Sequence, residues 1–378
     1  MAQENCTVLQ VHTGFAAGGS ERQVVLLASG LARRGIEPII ACPAGAWLEP
    51  AAIEAGIKVW PLVSGKPEFA NVLRLISSMR SHRVRIVQSH TAVADLLSAA
   101  AAMLARVPIR ISTRHALRCE CLYAGRARRY LIRHISHRIT RHAFTAVTAV
   151  SEAAARANAA HGCPRQKSIV VVRNGVEIPC GAKQDSLSPM GIPENSWIVA
   201  CLGRLSPEKG QRFLLQAAAL VRKTIPELRV IFAGNGPDRD SLAQIASDLG
   251  IRESILFPGW IADVAPLLRN ADVVVQPSLF EGFGLSIAEA MAAACPVICT
   301  SVGGLTELVL DEVTGLLVPP ANAEALAAAL MQIFREPARA VQLGAAARKR
   351  IEQHFSAARM IEDTCNLYKQ LLRDAGSA

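Results

Sequence analysis

No stretch of about 18 apolar residues free of charge occurs in this 378-residue chain, so no membrane-spanning helix is expected. The nearest candidate, residues 92–105, is too short and is interrupted by Asp95. The opening ENCTVLQVHTGF reads as a strand entering a glycine loop rather than as a signal peptide. A disulfide framework is missing too: the ten cysteines are scattered, and Cys42, Cys201, Cys295 and Cys299 sit in or beside strand-like runs, as small buried hydrophobes do. A reduced, cytoplasmic location fits that usage. Metal-ligand spacing is absent. Cys119-x-Cys121 near His115 has no fourth ligand at recognisable spacing, and Asp238-Arg239-Asp240 opens a helix, where acids complement the dipole. Neither a metal nor a cofactor is expected.

Acids are scarce in the first half. Residues 1–180 carry 23 Lys+Arg against 10 Asp+Glu, whereas the remainder carries 18 against 21, so the net charge of +10 is concentrated at one end. Such asymmetry points to an anionic partner. Between residues 114 and 141 eight arginines accompany a single acid, Glu120. This segment reads as a helix in which Leu122, Tyr123, Tyr130, Leu131 and Ile135 interleave with the arginines. Two readings stand: a solvated face, or a surface for an anionic membrane or acceptor. It brings no nucleic-acid module and no aromatic stacking set, so no nucleic-acid partner is expected.

What is present is a chain 51% hydrophobic and 19% charged, long enough for two domains with full cores. Residues 272–275 read as a buried strand closed by Gln276-Pro277. A loop with Glu281, a helix near 284–293 and a strand at 296–300 follow, as in a parallel sheet whose ligands sit beyond the carboxyl ends of its strands. The amides of Gly282, Phe283, Gly284 and Leu285 lie at the helix N-terminus, where an anion such as phosphate is favoured. Glu281 and Glu289 flank that point with seven residues between them. Carboxylates repel phosphate and bind hydroxyls, so hydroxyls on both sides of a phosphate suggest a nucleoside diphosphate sugar. On these residues alone, a plain loop glutamate and an exposed helix glutamate is an equal reading.

Taken in order, a strand at 7–11 leads into Gly14, Gly18 and Gly19, with Ser20 as N-cap of a helix to about Arg34. The glycine spacing fails the dinucleotide fingerprint G-x-G-x-x-G. Further strands are expected at 37–42, 57–61, 85–88, 109–113, 144–150 and 168–172, with helices at 71–81 and 94–106 among them. His90 and His115 fall just past two strand ends, placed either for chemistry or as caps of the sheet. The second half restarts with a strand at 197–202 and the run GRLSPEKG. There Arg204 and Lys209 lie on a loop at a strand end, the arrangement of a pyrophosphate clamp. Strands at 229–233, 255–257 and 316–319 and helices at 324–335, 339–353 and 357–373 follow.

Several of these runs resemble one family. Glu281 and Glu289 match the E-x7-E element of retaining glycosyltransferases of the GT-B fold, and EGFGLSIAEAMA resembles family 4, the glycosyl transferases group 1. Gly203, Arg204 and Lys209 fit its G-R-x-x-x-x-K-G wording, Ser112-Thr113-x-His115 resembles its active-site histidine, and Asn174-Gly175-Val176 its N-G-[VI] signature. The resemblance covers nearly the whole chain and is strongest over 170–319. It implies an α/β chain of two doubly wound Rossmann-like domains facing a cleft. These would be an acceptor-side domain at 1–177, a linker at 178–193, a nucleotide-sugar domain at 194–355, and a helix at 356–378 crossing back to the first domain.

The implied activity is transfer of a sugar from a UDP-, GDP- or ADP-linked donor to a hydroxyl of a glycan or lipid-linked acceptor, with retained configuration. The charge asymmetry favours cell-envelope polysaccharide or lipopolysaccharide synthesis at the inner face of the membrane, with peripheral contact through residues 114–141. By resemblance His115, Glu281, Arg204 and Lys209 are catalytic. Gly18, Gly19, Gly203, Gly259, Trp260, Gly282, Phe283, Gly284, Leu285 and Glu289 join Arg204, Lys209 and Glu281 at the donor, and Gly14, His90 and Arg114 lie on the acceptor side. Alternatives are a nucleotide-sugar epimerase, a sugar phosphorylase using one of Lys183, Lys209, Lys223, Lys349 or Lys369, or a basic membrane- or nucleic-acid-binding module.

Overall fold

The structure, a computed structural model, describes residues 6–63, 68–115, 135, 138–139, 142–160, 169–179 and 192–376. Most of the arginine-rich segment, the Cys119-x-Cys121 pair and most of the 178–193 linker lie outside the described residues. The chain divides into two units, Met1–Gly175 with Ala357–Ala378, and Val176–Ser356.

In the first unit the strands are short and, in the middle of the sheet, buried along their length, the pattern of a parallel sheet covered on both faces. They are β1 (Thr7–Val11), β2 (Glu37–Pro43), β3 (Lys58–Leu62), β4 (Ile86–Ser89), β5 (Ile109–Arg114), β6 (Ala146–Ala149) and β7 (Val170–Val171). Their order is β3-β2-β1-β4-β5-β6-β7, all parallel. The chain winds outward from β1 in one direction and, from β4, in the other. The switch point therefore lies between β1 and β4, where a doubly wound sheet opens a crevice at its carboxyl edge. Four helices belong to these crossovers: α1 (Gly19–Ala32), α2 (Leu48–Glu54), α3 (Glu68–Ser81) and α4 (Ala92–Leu104), with α5 (Glu152–Ala159) after β6. Thr91 and Ser151 cap α4 and α5 through their hydroxyls.

Alternation along each strand sorts the core into two layers. Leu9, Val11 and Val87 pack with Leu75, Met79, Leu97 and Ala101 of α3 and α4. Val8 and Ile86 face the other way and pack with Leu27 and Leu31 of α1 and with Met360, Ile361 and Tyr368. The last three come from the C-terminal helix (Ala357–Gly376), which approaches α1 so closely that a Cβ at Gly30 would come 2.1 Å from Ile361 Cδ1. One expectation is corrected here. The N-cap of α1 is Gly18, not Ser20, and a glycine offers no side-chain cap. The Ser20 hydroxyl is drawn instead to Glu21 Oε2 at 2.9 Å, because the stronger charged acceptor lies next to it.

The second unit repeats the plan. Its strands are β8 (Trp197–Leu202), β9 (Leu228–Ala233), β10 (Ile255–Gly259), β11 (Val273–Gln276), β12 (Val297–Thr300) and β13 (Leu316–Val318). They pair in parallel in the order β10-β9-β8-β11-β12-β13, which puts the switch point between β8 and β11. The helices are α6 (Gln211–Val221), α7 (Arg239–Asp248), α8 (Ala265–Asn270), α9 (Leu285–Ala292), α10 (Leu305–Leu308), α11 (Ala323–Arg335) and α12 (Pro337–His354). The helix at Ala357–Gly376 is thus α13. One sheet face packs on Leu214, Leu215 and Ala218 of α6 and on Leu326 and Leu330 of α11. Among the described residues no helix is long and apolar enough to cross a membrane.

Candidate functional sites at the two switch points

In the second unit the switch point is occupied by a loop from each side. After β8 come Gly203, Arg204 and a single 3-10 turn, Pro207–Lys209. Gly210 then takes the left-handed conformation (φ 66°), and a Cβ there would come 2.1 Å from the carbonyl oxygen of Pro277. Only glycine allows this approach, and it brings the β8 loop against the loop that follows β11. The result is the contact between Lys209 Nζ and Glu281 Oε2 at 2.6 Å, with the two side chains 21% and 12% exposed.

Sequence reasoning assigns these two residues to different parts of a ligand, yet they are each other's partner. Burial pulls the Lys209 ammonium toward neutrality, but the adjoining Glu281 carboxylate and the charge of Glu208 outweigh it, so its pKa is raised. Glu281 is steadied further by the Ser278 hydroxyl at 3.3 Å, which Gln276 Nε2 reaches at 2.8 Å while Gln276 Oε1 accepts from Ser286. Gln276, Ser278 and Ser286 did not figure among the sequence candidates.

Gly284 caps α9 in the left-handed region (φ 99°), so the chain turns sharply after Glu281 and exposes the first amides of α9 from Leu285 on. Phe283 is buried. Glu289 lies within α9 and is partly buried; Gly259 ends β10, and Trp260 after it is exposed. Arg204 is exposed, and no carboxylate among the described residues pairs with its guanidinium. Deep beside the site, burial pushes the Cys201 thiol up to about 12 and the Cys299 thiol higher still, so neither is a thiolate nucleophile.

In the first unit three histidines, not two, stand at the carboxyl ends of adjacent strands: His12 after β1, His90 after β4 and His115 after β5. His90 Nδ1 is 2.8 Å from His115 Nε2, and His90 Nε2 is 2.5 Å from Gln10 Oε1. His12 accepts the Gly14 amide at Nδ1 (3.0 Å), so its neutral ring carries the proton on Nε2, which faces Ser20 Oγ at 3.2 Å and Glu21 Oε1 at 3.6 Å. Gly14 and Gly18 leave room for Glu21, since a Cβ at either would come within 2.3 and 2.6 Å of its carboxylate oxygens. Gly19 opens α1.

Burial lowers the pKa of all three rings. Glu21 opposes the effect at His12; the neighbouring imidazoles deepen it at His90; His115 is brought to about 3. All three are neutral bases at physiological pH. Arg114, expected on the acceptor side, points instead into a buried ion pair with Asp95 at 2.9 Å, and Asp95 also accepts from Ser89 and Ser112. Sequence reasoning missed His12, although the strand-end argument made for His90 and His115 applies equally to it.

Residues 183–350 match the model of the family Glycosyl transferases group 1, and residues 17–178 that of Glycosyltransferase Family 4. A D-inositol 3-phosphate glycosyltransferase of Kineococcus radiotolerans is 34% identical over 230 residues, covering 54% of this chain and 52% of the relative. A glycogen synthase of Mycobacterium tuberculosis is 31% identical over 210 residues, covering 54% and 49%. The chain thus spans about half the length of the curated relatives it matches. Among solved structures, Anabaena HepE in complex with UDP-glucose superposes with a TM-score of 0.85 at 22% identity, covering 96% of this chain and 99% of that one. At that identity the likeness establishes the fold, which is that of the GT-B glycosyltransferases.

Proposed function

The chain belongs to the group 1 glycosyltransferases, and from that premise we propose that it moves a sugar from a nucleotide-sugar donor to a hydroxyl of a glycan or lipid-linked acceptor, with retained anomeric configuration. The observation that carries this reading is the Lys209–Glu281 pair at the β8/β11 switch point. An ammonium has three N–H donors and a carboxylate two oxygens. With one of each spent on the pair, Lys209 still offers donors to a phosphate and Glu281 an acceptor to a sugar hydroxyl on the next atom of the ligand. One contact thereby aligns both sides of the bond that breaks.

Arg204 and the opening amides of α9 supply the remaining positive potential. Charge builds on the leaving diphosphate in the transition state, so fixed donors there accelerate the reaction more than they strengthen ground-state binding. The bond from the anomeric carbon to the diphosphate oxygen breaks, and a bond from the same carbon to the acceptor oxygen forms. The proton lost by the acceptor passes to the departing phosphate on the same face, so no separate protein base takes part. Glu289 holds the ribose and His115 the donor sugar, and with cationic side chains neutralising the diphosphate the reaction needs no metal. UDP is the favoured nucleotide, because the HepE structure contains UDP-glucose. The acceptor belongs to cell-envelope polysaccharide or lipopolysaccharide synthesis on the cytoplasmic side. The basic first half approaches an anionic surface there, and failure to bind anionic vesicles at low salt would remove that part of the reading.

The test is a thermal-shift screen with UDP, GDP and ADP, without added metal, on wild type and Arg204→Ala. Ligand at about 100 times its dissociation constant adds ~2.7 kcal/mol. One nucleotide should stabilise wild type and not the variant; no shift with any of the three sinks the transferase reading.

A further inference from the structure

The interior of the first unit contains an anomaly. Two glutamines, Gln10 and Gln88, sit side by side in the register of β1 and β4, on the sheet face where Val8 and Ile86 pack against Leu27 of α1 and Met360 of α13. Both are buried. Tyr368, on α13, is buried against the same face, and its hydroxyl donates to Gln88 Oε1. Polar groups in such a place carry a desolvation penalty unless every one is satisfied.

We propose that the buried chain Tyr368–Gln88–Gln10–His90 fixes the imidazole of His115 in the tautomer protonated at Nε2, which makes Tyr368 a positioning residue for that ring. The direction follows link by link. Gln88 Oε1 accepts from Tyr368, so its amide nitrogen points the other way and donates to Thr113 Oγ1 at 2.7 Å. Gln10 Nε2 faces two acceptors, the Tyr368 oxygen at 3.2 Å and Gln88 Oε1 at 3.5 Å. Gln10 Oε1 is thereby turned toward His90 Nε2, and an amide oxygen can only accept, so the proton of His90 is on Nε2. A neutral imidazole has one proton. His90 Nδ1 is therefore an acceptor, and His115 Nε2, 2.8 Å away, is its donor. His115 is left with Nδ1 as a bare acceptor.

Two further observations agree with this direction. Thr113 Oγ1 also accepts from Thr148 at 2.9 Å, so its own proton is directed elsewhere. It lines a cavity of about 30 Å³ together with Gln23, whose Oε1 is a buried acceptor without a hydrogen-bond donor among the described residues. A cavity of that size has room for one ordered water, which would take the Thr113 proton and donate to Gln23. The tautomer itself does not depend on the transferase reading. Its consequence does: a bare Nδ1 accepts a hydroxyl of a bound substrate and cannot donate to one.

Nitrogen-15 histidine labelling of the full chain reads each ring nitrogen directly, with His90→Asn and His115→Asn spectra supplying the assignments. Wild type should show both rings protonated on Nε2 alone. Tyr368→Phe removes the hydroxyl that orients Gln88, and His115 should then populate both tautomers while the fold is retained. Gln10→Glu keeps an acceptor facing His90 and should preserve the single Nε2–H form. An Nδ1–H ring at His115 in wild type overturns the proposal, as does a Tyr368→Phe spectrum identical to wild type. Should Tyr368→Phe fail to fold, mixed tautomers in Gln10→Glu overturn it equally. UDP-induced stabilisation, measured on the same samples, reports separately on the transferase reading.

Discussion

The Lys209–Glu281 contact gives a prediction whose size can be worked out. At 2.6 Å and an effective dielectric constant of ~20, the attraction is ~6 kcal/mol. Both groups are drawn mostly out of water, and their desolvation offsets much of that attraction. A net coupling of about 1–3 kcal/mol remains. Lys209→Met leaves Glu281 with the Ser278 hydroxyl as its side-chain donor within its own loop, and Glu281→Gln leaves a mostly enclosed ammonium beside Glu208. Each single change should therefore lower the stability of the second unit by roughly 2–4 kcal/mol, and the double change by clearly less than the sum.

Urea unfolding followed by tryptophan fluorescence isolates that unit if Trp47 and Trp60 are first replaced by Phe, because Trp197 packs edge-on to Phe334 within it. The pair also sets a pH signature. The folded pKa of Lys209 is raised, so its stabilisation is complete below the ordinary lysine value of 10.5 and is lost only as pH rises through the folded value above that. Additivity of the two substitutions within about 0.5 kcal/mol would refute the argument, since it would mean that the two charges do not sense each other.

Two more predictions rest on packing and titration. Gly210→Ala puts a Cβ against the Pro277 carbonyl at a left-handed backbone position; it should cost ~2 kcal/mol or more in the same urea assay and abolish nucleotide-induced stabilisation, and wild-type behaviour on both counts would contradict the proposed contact between loops. In the first unit the folded-state pKa values of His12, His90 and His115 are depressed. The unfolded chain therefore takes up protons first, and stability present above pH 6.5 drains away as pH falls toward about 3. His115→Gln should flatten that decline in acid-titration denaturation, and an unchanged slope would be the adverse result.

The sheet architecture was legible in the sequence because buried parallel strands are short, mostly apolar runs bounded by turn residues, as VVVQ before Pro277 and WIVACL before Gly203 are. The loop after β11 was legible for a related reason: its glycines mark backbone that no other residue adopts easily. Pairings across the fold were not. Lys209 and Glu281 are 72 residues apart, Gln10 and Gln88 78, Gln88 and Tyr368 280. Nothing local distinguishes a glutamine that meets its partner through strand register from one that faces water. A signal did exist in the glutamines themselves, placed inside TVLQV and IVQS where a strand buried on both faces should hold only apolar residues. Ser20 misled because capping propensity is a local preference, and a carboxylate beside it was the better partner.

The assignment of α13 to the first unit has a consequence for the order in which the protein matures. The second unit is a continuous stretch of chain, Val176–Ser356, whereas the first needs Met360, Ile361 and Tyr368, which are synthesised only after all of that stretch. During synthesis the amino-terminal sheet must therefore wait with the α1 side of its core uncovered, while the later-made unit closes around its own residues. The contact between Gln10 and Tyr368 spans 358 positions of the chain. A nascent chain stalled before residue 357 would carry a finished second half and an unfinished first one. That leaves the apolar face of α1 in need of cover until residues 357–376 have been made.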